Sequence, residues 1–69
     1  MNLTELDRAV LDFERQWWAH RGGREQAVRD RFGVTMTAHL QRVNRLLDHP
    51  AAAAYSPVTV ARLRRLRAR

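Results

Sequence analysis

The chain lacks cysteine and lysine, and its 69 residues include only three glycines and two prolines. The lack of cysteine excludes disulfide bonds and thiolate metal sites. No apolar run is long enough to cross a bilayer, and the first residues do not follow the basic-then-apolar order of a signal peptide. We therefore expect a soluble, cytoplasmic protein with no membrane partner.

The positive charge is distributed unevenly. Residues 1–20 carry four acidic residues and two arginines, residues 21–48 carry three acidic residues and six arginines, and residues 49–69 carry five arginines and no acid. The net charge of +6 therefore lies in the last two segments. Such a surface attracts phosphates, although a solvated basic tail is the common alternative. All thirteen basic residues are arginine. We attribute this first to a GC-rich genome, which replaces lysine codons with arginine codons, and only second to the bidentate contacts that arginine makes with phosphate and guanine.

The apolar periodicity predicts an all-α fold, a bundle of about four helices in a single domain over residues 1–69. The predicted helices span about residues 5–20, 24–32, 36–48 and 57–67. A chain of this size buries only about 60% of its unfolded surface, so its core is marginally stable and contact with a partner would stabilise it.

Capping signals indicate where these helices begin and end. Thr4 caps the first helix, with Asp7 three residues later, and the pair Gly22-Gly23 ends it. The alanine run after Pro50 is expected to form one short turn of helix. Ser56-Pro57 then predicts the start of the last helix, with the serine as its cap.

Each long helix carries an apolar stripe that is expected to face the core. The stripe positions are Leu3, Leu6, Val10, Phe13 and Trp17 in the first helix, Met36, Leu40, Val43 and Leu47 in the third, and Thr59, Leu63 and Leu66 in the fourth. Leu11 and Trp18 lie on a flank of the first stripe. These two residues are interpreted as a cover for the last helix or as a dimer contact, and we favour the homodimer.

Residues 24–48 follow the order of a helix-turn-helix unit, with the turn at Gly33 and a cap at Thr35. In this plan the second helix of the unit lies in a DNA groove. Its outward positions on a helical wheel are Thr37, Ala38, Gln41, Arg42 and Arg45, preceded by Thr35. Because arginine and glutamine pair with base edges, we interpret these positions as a surface for double-stranded DNA. A solvated polar face is the alternative.

Five further arginines lie in the last predicted helix and just beyond it: Arg62, Arg64, Arg65, Arg67 and Arg69. They spread around the helix instead of forming one row. That distribution suits contacts with phosphates, or insertion into a narrow minor groove, better than sequence reading. We predict that these residues bind the DNA backbone.

Four stretches carry a resemblance to a known family: Phe13-Glu14-Arg15-Gln16-Trp17-Trp18, Glu25-Gln26-Ala27, Asn44 with Leu46-Leu47-Asp48, and Arg62-Leu63-Arg64-Arg65-Leu66-Arg67. Together they resemble a family of small actinobacterial and actinophage proteins, a domain of unknown function whose members are usually described as helix-turn-helix DNA-binding proteins. The resemblance extends from about Leu6 to Arg67 and implies DNA binding and an actinobacterial or phage source. His39-Leu40 stands where the family has an aromatic pair, so no role of that pair is transferred.

These observations predict a small transcription regulator or a nucleoid-associated protein, located in the nucleoid or, if a phage encodes it, in the host cytoplasm. The alternative is a protein-interaction module that docks on RNA polymerase through the acidic first helix, with Leu11 and Trp18 as contacts. The three histidines are too far apart for a local metal motif, and the sequence contains no nucleophile–base arrangement or phosphate-binding glycine loop. We expect no enzymatic activity, metal or cofactor.

Overall fold

The computed structural model describes residues 2–17 and 23–68, which form five helices and no strand. The all-α fold class is therefore confirmed. The helices are α1 (Glu5–Trp17), α2 (Arg24–Phe32), α3 (Met36–Leu47), α4 (Pro50–Tyr55) and α5 (Pro57–Arg67). The fifth helix arises because the alanine run forms a six-residue helix, α4, instead of one turn. The predicted continuation of the first helix to residue 20, and its end at Gly22, lie outside the described residues.

Side chains cap α1 and α4, but not α5. The Thr4 N–H donates to Asp7 Oδ2 (3.1 Å) and the Asp7 N–H donates to Thr4 Oγ1 (3.0 Å), which confirms the predicted reciprocal cap. His49 Nδ1 accepts from the first turn of α4. Ser56 makes no side-chain cap for α5, so that prediction is wrong. Ser56 also ends α4, where its N–H donates to the Ala52 carbonyl (2.9 Å), and its ψ of 71° departs from the extended backbone of the capping residue Thr35 (ψ 160°).

The turn between α2 and α3 has the predicted geometry. Gly33 adopts a φ of 67°, and its N–H donates to the Arg29 carbonyl (2.9 Å). Thr35 Oγ1 then accepts a hydrogen bond from the Ala38 N–H (3.1 Å), which caps α3. The helix-turn-helix order is thus present, and α3 ends at Leu47, one residue before its predicted end.

The core lies around α3, which contacts each of the other four helices. The buried apolar residues are Leu3, Val10, Leu11 and Phe13 in or before α1, Val28 in α2, Val43, Leu46 and Leu47 in α3, Ala52 in α4, and Val60 in α5. Because neighbours surround α3 on its inner side, only its outward face is available to a ligand.

Several predicted stripe positions are wrong. Leu6, Leu40 and Leu66 are 42%, 42% and 50% exposed, whereas Leu11, predicted on a flank, is fully buried. Leu11 is buried because α1 packs against α3, α4 and α5 together, so its covered face is wider than one stripe. Leu40 and Leu66 are exposed because they lie at an open groove between α3 and α5. The side chain of Trp17 and all of Trp18 lie outside the described part of the chain.

Candidate nucleic-acid interface

The outward face of α3 carries polar side chains that reach solvent. Four of its residues are buried, namely His39, Val43, Leu46 and Leu47. At a step of about 100° per residue these occupy one side of the helix and leave the other exposed. The exposed residues of α3 are Thr37, Ala38, Leu40, Gln41, Asn44 and Arg45. Four of the predicted DNA-contact residues therefore share one solvent-facing surface: Thr37, Ala38, Gln41 and Arg45.

Asn44 belongs to the same surface, although the sequence-based prediction omitted it. It lies three residues after Gln41 and one before Arg45, and it is exposed. A side-chain amide can form two hydrogen bonds with adenine, so Asn44 has the same base-reading chemistry as Gln41. The spacing of three residues was the available signal, since it places both amides on one face.

Arg45 and Arg42 differ in how freely they could reach a ligand. Arg45 is exposed and forms no ion pair with any residue that the structure describes. Arg42 is only half-exposed, and its Nη1 lies 3.8 Å from Asp7 Oδ1 in α1. Arg42, predicted among the outward positions, therefore lies at the edge of the outward face, towards α1.

Thr35 has a structural role at the start of this surface. Its hydroxyl oxygen accepts from the Ala38 N–H and so completes the N-cap of α3. The Thr35 side chain is exposed, but this hydrogen bond fixes its orientation. Among the predicted contacts, Thr35 is thus a residue that positions α3.

The arginines of α5 mostly bind within the fold. Arg64 donates from Nε (2.9 Å) and Nη2 (2.6 Å) to the Leu47 carbonyl, and Arg67 Nη2 lies 3.2 Å from Asp48 Oδ1. Both contacts stabilise the carboxyl end of α3, where helix carbonyls lack intrahelical partners. Arg62 also has an interaction partner. Three of the five predicted backbone contacts thus already have partners within the fold, and their binding to DNA stays a prediction.

Arg65 is the exception among the described arginines of α5. It is exposed and forms no ion pair with any other described residue. Arg69 lies outside the part of the chain that the structure describes. Among the described arginines of α5, Arg65 could thus contact a phosphate without losing a contact to another described residue.

A buried polar cluster fixes α3 against α1 and α2. Glu14 and His39 are each 2% exposed, and His39 Nε2 donates to Glu14 Oε1 (3.1 Å). Arg24, the first residue of α2, donates to the same oxygen. The rings of Phe13 and Phe32 enclose the imidazole, with centroid distances of 5.6 Å to each. The cluster therefore connects α3 to α1 and α2, and these contacts fix the orientation of α3.

The electrostatics of this cluster keep Glu14 ionised. Burial raises the pKa of the Glu14 carboxyl, but the hydrogen bond from His39 and the charge and hydrogen bond of Arg24 outweigh it, so that the pKa lies below its ordinary value. The sequence-based prediction missed this cluster, because Glu14 and His39 are 25 residues apart and meet only in the folded chain.

Leu11 cannot serve as the predicted partner contact. It is fully buried among the residues of the core. The expectation of a surface formed by Leu11 and Trp18 is therefore corrected for Leu11, while Trp18 lies outside the described residues.

A family model described as "Protein of unknown function (DUF3263)" matches residues 2–69. The chain belongs to this family. The match confirms the expected membership in a family of unknown function and assigns no activity. The comparison with curated proteins found no match, and neither did the comparison with solved structures.

Internal pairing of the acidic residues shapes the surface of this DUF3263 protein. Asp7 pairs with Arg42, Glu14 binds Arg24 and His39, and Asp12 accepts a hydrogen bond from a tyrosine of α4. Three of the four acids of α1 thus face positive or donor groups of the same chain, and the surplus of exposed charge is basic.

Two further properties concern only the described residues. No helix among them is long and apolar enough to cross a membrane. Within the same residues, no group of three or more acidic or histidine side chains is arranged to hold a metal ion.

Proposed function

We propose that this DUF3263 protein binds double-stranded DNA, with the outward face of α3 in a groove. The proposal rests on three exposed residues of α3, namely Gln41, Asn44 and Arg45. This helix follows the turn at Gly33 and is capped by Thr35. Two amides, and one guanidinium without an ion pair to any described residue, are side-chain groups that pair bidentately with adenine and guanine.

The net charge supports the same proposal. The chain carries +6, and three acids of α1 are paired internally. A duplex attracts such a surface through its phosphates, and each phosphate neutralised adds roughly 0.9 to the slope of log affinity against log salt. In this proposal Arg65 contributes a backbone contact, while Arg64 and Arg67 hold the end of α3 in place.

The proposed role is that of a small transcription regulator or a nucleoid-associated protein. In a regulator, α3 reads base edges and one sequence is preferred by roughly a thousandfold or more over random DNA. In a nucleoid-associated protein, phosphate contacts dominate and this ratio is small. Selection from randomised duplexes at physiological salt, followed by titration of the enriched and random pools, measures the ratio directly.

The proposal is tested by a charge-matched pair of variants. Arg45→Ala and Arg15→Ala each remove one exposed arginine, but Arg15 lies on α1, away from the outward face of α3. Loss of a bidentate base contact costs about 1–3 kcal/mol, so Arg45→Ala should weaken binding of the selected duplex about fivefold or more. Arg15→Ala should weaken it much less, and circular dichroism should show unchanged helicity in both. Equal effects would remove α3 from the reading role.

Docking on RNA polymerase through α1 receives less support. Leu11 is buried, and Asp7, Asp12 and Glu14 each contact a residue of another helix. The apolar contact and most of the acidic charge assigned to that surface are therefore used inside the fold.

A further inference from the structure

An open apolar groove of about 280 Å³ lies between α3 and α5. Its floor consists of Val43, Leu47 and Leu63, and its walls are Leu40 of α3 and Leu66 of α5. The wall residues are 42% and 50% exposed, so the groove is open to solvent. It shares Asn44 with the outward face of α3. The other α3 residues that line the groove are apolar, and leucine and valine side chains offer no hydrogen bond to a base or phosphate.

The apolar pattern of both helices extends into this groove. Leu40 continues the stripe of Val43 and Leu47 on α3, and Leu66 follows Leu63 by three residues on α5. Adjacent exposed leucines in a depression mark an interaction site more often than isolated ones do. The groove therefore has the composition of a surface that a binding partner would remove from water with a favourable change in free energy.

The charges at the groove are positive. Arg24 and Arg67 are the only charged residues among those that the structure describes as lining it. Arg24 donates a hydrogen bond to Glu14, and Glu14 accepts another from His39 of α3. Arg67 forms an ion pair with Asp48, which follows α3. His39 and Asp48 bracket the α3 segment of the groove, so one arginine lies towards each end. Each guanidinium has five N–H donors, and one ion pair does not exhaust them.

We infer that this groove binds an amphipathic, acidic α-helix of another protein. The distance from Leu40 to Leu47 is seven residues of α3, or about 10 Å at 1.5 Å per residue. That length fits two turns of a partner helix with apolar anchors at spacings of three, four and seven. Carboxylates at both ends of these anchors would reach Arg24 and Arg67. The inference does not rest on the proposed DNA binding, although Asn44 lines the groove and also belongs to the outward face of α3.

A second copy of the chain fits the groove less well. Symmetric packing through Leu66 would bring two α5 helices together, each with four arginines between Arg62 and Arg67 and no acidic residue. The repulsion between them opposes such a dimer. An acidic helix meets the same surface with favourable charge.

The experiment is a selection from a phage-displayed library of helical peptides of about 14 residues, with the full chain as bait. We expect enriched peptides to carry apolar residues at the stated spacing and glutamate or aspartate beside them. The enriched peptide and a copy with each acid replaced by its amide are then titrated by fluorescence anisotropy. The amide copy should bind at least about fivefold more weakly, with a smaller salt dependence.

A matched pair of variants locates the binding site. Leu66→Ser and Val58→Ser both change an exposed apolar residue of α5, 50% and 70% exposed, but Val58 does not line the groove. We expect Leu66→Ser to weaken the acidic peptide at least about tenfold and Val58→Ser less than about twofold, with unchanged helicity and DNA affinity. Leu40→Ser repeats the test from the other wall.

Four outcomes would overturn the inference. They are no saturable enrichment, enrichment of neutral or basic peptides, equal effects of Leu66→Ser and Val58→Ser, and a dimer that Leu66→Ser dissociates, which would assign the groove to a second copy. A fifth outcome would also overturn it: peptide binding that occurs only after Trp18→Ala would assign the groove to the chain's own residues 18–22.

Discussion

His39 of α3 donates a hydrogen bond from Nε2 to Oε1 of Glu14 in α1, over 3.1 Å, and both side chains are buried. The same carboxylate oxygen binds Arg24 at the start of α2. The imidazole lies beside Phe13 and stacks on Phe32 at an interplanar angle of 18°. One carboxylate thus connects the helix-turn-helix unit to α1, so the orientation of the proposed reading helix depends on it.

Replacement of this carboxylate should destabilise the fold. Glu14→Gln keeps the size of the side chain but leaves the buried imidazole and Arg24 without a charged acceptor. We expect the free energy of unfolding to fall by about 1–3 kcal/mol in urea denaturation followed by circular dichroism. The control is Glu25→Gln in α2, where an exposed carboxylate lies 3.7 Å from Arg29. That change should stay within about 0.5 kcal/mol, and equal effects would contradict the structural role of Glu14.

Acid should weaken the fold through the same residue. The pKa of Glu14 is lower in the folded chain than its ordinary value, so its ionised form stabilises the fold. This contribution is complete at pH values above the unfolded-state pKa, about 4.3, and is lost as the pH falls through the lower folded-state pKa. Unfolding measured between neutral pH and pH values below that point should show a smaller loss for Glu14→Gln than for the unmodified chain. Parallel curves would refute this assignment.

The turn before α3 should tolerate some substitutions and not others. Gly33 has a φ of 67°, and a Cβ added there would meet no atom within 4 Å. The cost of Gly33→Ala is therefore backbone strain and not a clash, and we expect about 1–2 kcal/mol of destabilisation. Asparagine adopts this conformation more readily, so Gly33→Asn should lose less. Thermal unfolding of the two variants compares them, and alanine as stable as asparagine would be inconsistent with this turn.

The single tyrosine reports on the contact between α1 and α4. The Tyr55 hydroxyl donates to both carboxylate oxygens of Asp12, at 3.0 and 3.2 Å. This hydrogen bond favours the protonated phenol and raises the pKa of Tyr55 above its ordinary value of about 10. Ultraviolet titration should therefore show phenolate formation at a higher pH than in free tyrosine. Asp12→Asn should lower that pKa, and an unchanged titration would exclude the contact in solution.

Local signals predicted the elements around the turn well. The end of α2 at Gly33 and the start of α3 after Thr35 were predictable, because a positive φ and a side-chain cap depend on only a few neighbouring residues. The reciprocal cap between Thr4 and Asp7 formed for the same reason. Signals that act within about four residues could be evaluated from the sequence without knowledge of the tertiary contacts.

Tertiary contacts account for what the sequence did not predict. Leu11 is buried because α1 packs against three helices, and Arg64 binds the Leu47 carbonyl across 17 residues. Neither partner is visible in a helical wheel, which treats each helix alone. The outward position of Gln41 and Arg45 was predictable from periodicity, whereas the pairing of Arg42 with Asp7 was not.

Arg64 and Arg65 are adjacent in α5, and we expect them to affect different properties. Arg64→Ala removes both hydrogen bonds to the Leu47 carbonyl and should lower the free energy of unfolding by about 1 kcal/mol. Arg65→Ala removes an exposed side chain and should leave stability within about 0.5 kcal/mol. Urea denaturation of both variants measures this difference.

DNA titrations over a range of salt concentrations complete the comparison of these two arginines. If Arg65 contacts a phosphate, Arg65→Ala should reduce the slope of log affinity against log salt by roughly 0.9. Arg64→Ala should leave the slope closer to that of the unmodified chain, because the Arg64 guanidinium is held at the end of α3. The reverse result, in which only Arg64→Ala changes the slope and its stability is normal, would mean that Arg64 leaves Leu47 to bind DNA.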